Sequence, residues 1–461
     1  MVSSRILAKA RFRAVLSIAL GIASSSAEAR SHAPKSSPSP SPPPIVGAEK
    51  LTIQNAVDRS LRANPSVIEA REKVHEGKSL HSAGLSKLFP SIGATVRAQR
   101  RKDSVLTGLA AFNGESYNQY ETSLQLIQPI YTGGDLWAGL SAANREEEVR
   151  ELDLKIAERD TIVQVITAFY TVMMNQEKLA TLQNTRKVES ESLDVAKRRE
   201  TIGRGQHLDV LQIRTQVALF DSRIAQADAD LKTSITRLML LFGDRTTPAI
   251  DLQGNLRPKK LRQLLNRLKD QPYEIYEFSR IEAVRDEKRD TNKVALAKYW
   301  PQLNFFGNYG RISNTRADLN NDFANAWSYG LELKVPLFSG LSSVAEGNAY
   351  ASSVKQIEIQ ESQIKDNAAY SETKAMHDLE AAESVIATSE NALDLANQSV
   401  REAQRNYRLS TIDYLVFLTV QQSLLDALVS YQTAELTYIT SIANYMVATG
   451  HPVNELVKVL E

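Results

Sequence analysis

Trp327-Ser328-Tyr329-Gly330-Leu331-Glu332-Leu333-Lys334-Val335 places apolar side chains at the odd positions and small or polar ones at the even positions. In a strand, successive side chains point to opposite faces, so this stretch builds a ribbon that is apolar on one side and polar on the other. Leu303, Phe305 and Tyr309 follow the same alternation upstream, as do Tyr120, Thr122, Leu124 and Leu126 much earlier in the chain. The loops inside each strand pair, Lys102 to Ser116 and Ser313 to Asn325, are rich in Asn, Asp, Gly and Ser. Strands of about ten residues match the length that crosses an outer membrane when tilted.

Four such strands cannot stand in lipid alone. An open sheet leaves unpaired N–H and C=O groups at both edges, and hydrocarbon offers them no partner. Closed bacterial barrels begin at about eight strands. The chain must therefore pool its strands with at least one further copy, and either two or three copies reach the number that closure requires.

Working outward, the strand pairs belong to a duplication. Leu88-Phe89-Pro90-Ser91-Ile92 returns as Tyr299-Trp300-Pro301-Gln302-Leu303, 211 residues later. Gln128-Pro129-Ile130-Tyr131-Thr132-Gly133 returns as Val335-Pro336-Leu337-Phe338-Ser339-Gly340, 207 later, and Leu208-Asp209-Val210-Leu211 as Ile412-Asp413-Tyr414-Leu415, 204 later. Three landmarks in one order at nearly one offset define two repeats, residues 49–255 and 256–450, followed by a C-terminal tail at 451–461. Each repeat is expected to hold a helix of about 35 residues ending at its first proline, a strand pair, a very long helix, a short turn and a further helix. Residues 135–200 and 341–407 contain no proline, and at 1.5 Å per residue each can run for ~100 Å. Leu379, Ala382, Ile386, Ser389, Leu393, Ala396, Val400, Ala403 and Tyr407 keep a 3,4 spacing, a coiled-coil seam with small knobs.

Residues 1–29 read as a signal peptide: Arg5, Lys9, Arg11 and Arg13, then the apolar Ala14–Ala23, then Ala27-Glu28-Ala29 as a cleavage site. Residues 30–48 are Ser/Pro-rich and cannot bury a core. After the signal, no run approaches the ~18 apolar residues of a membrane helix. Among 461 residues, 55 Lys and Arg face 54 Asp and Glu, a balance that gives nucleic acid no electrostatic purchase. There is no cysteine, which rules out disulfides, thiol catalysis and cysteine metal sites. The histidines at 32, 75, 81, 207, 377 and 451 show no ligand spacing, and no nucleophile–base constellation or phosphate loop is present. No catalytic, cofactor-binding or metal residue is assigned. A periplasmic coiled-coil scaffold is the competing reading, but it has no use for apolar strand faces.

With these residues in view, the chain resembles the TolC outer-membrane efflux protein family. The matching stretches are Leu51-Thr52-Ile53-Gln54-Asn55-Ala56-Val57 with Asn64-Pro65-Ser66-Val67, Phe89-Pro90, Gln128-Pro129-Ile130-Tyr131-x-Gly-Gly, and Tyr407-Arg408 leading to Asp413-Tyr414-Leu415 and Gln421-Gln422. The resemblance implies a mainly α fold with a small β part. The helices would form a periplasmic α-barrel tunnel, and four strands per chain would pool into a trimeric twelve-stranded barrel in the outer membrane of a Gram-negative bacterium. It further implies docking onto a periplasmic adaptor and an inner-membrane pump of RND or ABC type, with outer-membrane lipid as the remaining partner. It places a pore gate at Tyr407, Arg408 and Asp413, where three symmetry-related carboxylates would favour cations. The plain alternative for Asp413 is a helix N-cap. The turn holding Gly203, Arg204, Gly205 and Asp209 would meet the adaptor, and Leu409-Ser410 departs from the glycine usual at the other turn.

Overall fold

The computed structural model describes residues 49–101, 116–203, 205–244, 250–253, 261, 263–265, 267, 274–313, 315, 325–409 and 411–460. The signal and Ser/Pro segments, Arg204, Ser410, most of both strand-pair loops and residues 254–260 at the expected boundary between repeats lie outside these residues. Strand β1 (Glu49–Thr52) leads into α1 (Ile53–Ala63) and α2 (Pro65–Ser86), then β2 (Ser91–Arg101) and β3 (Tyr117–Thr132). Helix α3 (Asp135–Thr201) and α4 (His207–Leu241) follow, with β4 (Ile250–Gln253) after them. The second half runs α5 (Tyr276–Ala297), β5 (Gln302–Ser313), β6 (Asn325–Lys334), α6 (Ser342–Arg408), α7 (Tyr414–Ala448) and α8 (Asn454–Leu460).

Helix lengths recur across the two halves. Helices α2 and α5 each hold 22 residues, α3 and α6 each 67, and α4 and α7 each 35. The expected single helix before Pro90 is two helices. Asn64 takes an extended conformation, accepts a hydrogen bond from the Ser66 N–H at 2.9 Å and puts Pro65 at the first helical position, so one helix stops and the next starts. Ser60 Oγ and Asn64 Nδ2 also donate to the Leu241 carbonyl, at 2.9 and 3.2 Å, tying this break to the end of α4.

Helix α3 is the spine. It packs on α2 and α5 along one part of its length and on α4 along another, while α6 pairs with α7. Arg159 on α3 donates to Glu277 on α5 at 2.8 Å and also holds Asp160, and Arg285 on α5 donates to Glu361 on α6 at 2.7 Å. The main core gathers Ile162, Val165, Ile166, Phe169 and Val172 of α3 with Leu238 of α4 and Ile439, Ile442 and Met446 of α7. The residues expected as a C-terminal tail instead form α8, whose Leu456, Val457 and Leu460 are buried in this core. In α6 the expected seam holds. Leu379, Ala382, Ile386, Ala403 and Tyr407 are buried, and Ser389, Leu393, Ala396 and Val400 are half-buried. The described residues from 50 to 460 form a single compact unit, and no described helix is long and apolar enough to cross a membrane.

Apart from the β1–β4 pair, the strands form one antiparallel sheet in the order β2-β3-β5-β6. Strand β3 is longer than expected, at 16 residues, because it continues through Pro129 by a bulge between Pro129 and Tyr131. Proline has no N–H to give the ladder, and a bulge accommodates that loss.

Candidate functional site

The register shows what the sheet's two faces carry. Ile92 faces Leu126, Ala94 faces Leu124, Leu303 faces Leu333, Phe305 faces Leu331 and Tyr309 faces Trp327, all on one face. On the other face Arg97 reaches Glu121 at 3.4 Å, Gln99 bonds Gln119 at 2.7 Å, and Asn308 bonds Ser328 at 3.4 Å. The apolar face is bare: Val96, Trp327, Tyr329, Leu331 and Leu333 are each more than 60% exposed. Among the described residues no helix is layered over the sheet, and within one chain β2 and β6 each have a described neighbour on one side only. A sheet with a bare apolar face, a polar face and two open edges suits lipid on one side and water on the other.

The second candidate lies at the opposite end of the long helices. There the α3–α4 and α6–α7 turns come together around a cluster of Ala196, Val210, Ile213, Ala403, Tyr407, Tyr414 and Phe417. Gly203 turns the first hairpin with φ 71, a left-handed conformation that glycine adopts without strain. Gly205 leaves room for Arg199, whose Cβ would lie 2.9 Å from an added Cβ. Asp209 sits in the first turn of α4, and His207 Nδ1 lies 2.6 Å from Glu200 Oε1 across the hairpin. Of the expected adaptor-contacting residues, Arg204 lies outside the described residues.

Tyr407 is buried in the last turn of α6, its ring stacked on Phe417 with centroids 5.3 Å apart. The Arg199 guanidinium lies 5.1 Å from the Tyr407 ring centroid and donates to the Tyr407 and Arg408 carbonyls at 3.1 and 3.3 Å. One α3 arginine thus caps the end of α6, where the helix carbonyls lack partners. Arg408 and Asp413 are exposed on either side of the turn, and no ion pair joins them within one chain. Asp413 occupies the N-cap position of α7, although its side chain makes no capping hydrogen bond. The N-cap of α4 is Gln206, so Asp413 corresponds to Gln206 and not to Asp209, which lies about one turn further on. The mismatch arises because an apolar helix pattern nearly repeats after one turn, so the two LDVL-like motifs align equally well when slipped.

Glu189, which the sequence did not single out, completes this joint together with Tyr414 and Gln421. Glu189 of α3 is fully buried, and Tyr414 Oη of α7 donates to its Oε2 at 3.0 Å. Burial pushes the Glu189 carboxyl above its usual range, against the opposing influence of the Tyr414 bond and the neighbouring Gln421 amide. Glu189 Oε1 and Gln421 Oε1 are both buried without a hydrogen-bond partner. Burial also raises the Tyr414 and Tyr407 hydroxyls. No local pattern marks Glu189, since its burial depends on where α7 crosses α3.

Comparison with known proteins fits both regions. The family model described as outer membrane efflux protein matches residues 56–244 and 277–450. The cobalt-zinc-cadmium resistance protein CzcC of Cupriavidus metallidurans is 23% identical over 377 residues, covering 80% of this chain and 86% of that protein. The probable efflux pump outer membrane protein TtgC of Pseudomonas putida is 21% identical over 407 residues, covering 86% and 82%. The crystal structure of the Campylobacter jejuni CmeC outer membrane channel superimposes with a TM-score of 0.73 at 14% identity, covering 89% of this chain and 90% of that one. The family match takes in both strand pairs and both long hairpins, and the chain belongs to the outer membrane efflux protein family, as an efflux channel protein of the outer membrane whose helical part extends into the periplasm.

Proposed function

We propose that the mature chain is one protomer of a homotrimer that forms a passive export duct. Three four-stranded sheets close into a twelve-stranded barrel, and the helices continue it as a tunnel. The observation that carries this reading is the sheet with one bare apolar face and two open edges. Pooling strands satisfies the edge N–H and C=O groups, and lipid covers the exposed leucines and aromatics. The duct performs no catalysis. It works with a periplasmic adaptor and an inner-membrane pump of RND or ABC type, which select the small-molecule or protein cargo.

Residues 1–29 are removed as a signal peptide, 30–48 act as a spacer, and 49–255 and 256–450 are two copies of one ancestral unit. The turn at Gly203, Arg204, Gly205 and Asp209 meets the adaptor. Tyr407, Arg408 and Asp413 close the periplasmic end, with Arg408 and Asp413 free to pair between protomers because they do not pair within one. The test is fractionation followed by sizing in mild detergent. The mature protein is expected in the outer membrane as a trimer, and recovery as a soluble periplasmic monomer overturns the reading.

A further inference from the structure

We propose that β6 of one protomer seals against β2 of a second copy of this chain in a defined register, with Leu333 opposite Val96 of the partner subunit and Glu332 opposite Arg97 of the partner subunit. The inference rests on the closed-barrel reading above and specifies which residues meet at its seam.

The register follows from the duplication. The two hairpins of the sheet are paired identically: Ser91 faces Ile127 as Gln302 faces Lys334, and Arg100 faces Asn118 as Arg311 faces Asn325. Strand β5 is therefore the counterpart of β2, and β6 the counterpart of β3, rung by rung. The chain contains one joint between hairpins, β3 to β5, in which Leu126 faces Gly307, Gln125 faces Asn308 and Leu124 faces Tyr309. Repeating that joint between copies sets β6 in the place of β3 and β2 of the partner subunit in the place of β5. Leu126 and Gly307 then become Leu333 and Val96. Gln125 and Asn308 become Glu332 and Arg97, and Leu124 and Tyr309 become Leu331 and Ala98.

This register was fixed by geometry alone, yet its chemistry is complementary. Leu331, Leu333 and Val335 meet Ala98, Val96 and Ala94 on the lipid side. On the polar side the Glu332 carboxylate meets Arg97, which holds Glu121 at only 3.4 Å within its own chain and keeps 57% of its side chain exposed. A two-residue slip in one direction sets Lys334 against Arg97, like charge facing like charge, which a strand pair disfavours.

A separate observation at the foot of the sheet agrees. Gly133 and Gly340 are counterparts with nearly the same left-handed φ, 67 and 65. An added Cβ on Gly133 would lie 2.5 Å from the Ala297 carbonyl oxygen and 2.7 Å from Trp300 Cβ, whereas one on Gly340 meets nothing within 4 Å. The residues leading to Gly340 are equally unpartnered, with Leu337 92% and Phe338 85% exposed. In the repeat, Ala297 and Trp300 correspond to Ser86 and Phe89, and Phe89 is 68% exposed. The seat for Gly340 is thus the Ser86–Phe89 turn of the partner subunit. The mapped rungs extend β6 past Lys334, setting Phe338 opposite Ile92.

The chain has no cysteine, so engineered pairs report without background. Leu333→Cys with Val96→Cys, and Phe338→Cys with Ile92→Cys, are expected to give covalent, reductant-sensitive trimers when outer membranes are oxidised. Leu331→Cys with Val96→Cys, and Leu333→Cys with Ala98→Cys, test the two slipped registers. They are expected to cross-link roughly tenfold less, because diagonal partners lie ~7–8 Å apart, at or beyond disulfide reach. Trimers that cross-link best through a slipped pair, or through none, overturn the register while leaving the barrel standing. A wild-type chain that never forms trimers overturns the barrel reading itself. Glu332→Arg is expected to lower the temperature at which the trimer dissociates in SDS, and adding Arg97→Glu to restore it in part, since Glu121 then also faces a carboxylate. Absence of any restoration counts against the Glu332–Arg97 rung.

Discussion

Removing one hydroxyl at Tyr414 should loosen the joint between the two hairpin tips. Tyr414→Phe keeps the ring that packs beside Tyr407 and Phe417 but deletes the 3.0 Å bond to the fully buried Glu189. A bond to a charged acceptor contributes about 1.5–3 kcal/mol, and the carboxylate left behind already has one oxygen without a partner. That loss corresponds to roughly ten- to hundredfold easier local opening. Glu189→Gln should behave oppositely. It removes the buried charge, retains an acceptor for Tyr414, and supplies a donor for the unpartnered Gln421 Oε1. The two variants are compared by hydrogen exchange at the amides of 196–213 and 403–417, corrected for intrinsic rates. The pH dependence has a definite sign. Because burial raises the Glu189 carboxyl above its ordinary 4.5, its contribution to the joint is complete below that value. The contribution is lost as pH rises through the raised value, so wild-type protection should fall over that window while Glu189→Gln stays level. Equal protection in wild type and Tyr414→Phe at every pH, or a faster-opening Glu189→Gln, would refute the assignment.

Two further outcomes follow from the site geometry. Leu333→Arg should impair membrane assembly, since a charge on the lipid face near mid-bilayer costs roughly 2–4 kcal/mol, whereas Glu332→Gln, losing only a water-exposed ion pair, should assemble; heat-modifiability gels read both, and reversed sensitivities would invert the assigned faces. Arg408→Ser should raise single-channel conductance in planar bilayers by leaving three Asp413 carboxylates to repel one another, and Asp413→Ala should reduce block by multivalent cations, both most clearly at low salt; unchanged behaviour in the two variants would leave Asp413 only its place at the start of α7.

The parts of this fold that were legible in the sequence are those specified by local periodicity. Trp327 to Val335 announced a two-faced strand because each face meets one uniform medium along its length. The 3,4 spacing from Leu379 to Tyr407 marked the buried side of α6 because one helix covers it throughout. What was hidden depends on distant elements meeting. Arg199 caps the end of α6 across 208 residues of sequence, and Glu189 is buried only because α7 lies over it. The helix in the C-terminal tail went unread since, at seven residues, it is too short to show a period of its own. Asp413 was matched to Asp209 by motif, and only the observed caps show that the match is one turn out of step.

The equal helix lengths carry a consequence for how such a chain can change. Its halves share few side chains at corresponding positions, yet their helices remain 22, 67 and 35 residues long in each. Inserting one residue in α3 would turn everything beyond it by about 100° and push the tip outward by ~1.5 Å. The buried stripe would then point away from its neighbours, and the two turns would no longer meet. Substitution is therefore cheap along these helices, while a change of length must come in whole heptads and in both halves together. In this molecule the ruler is held more tightly than the lettering.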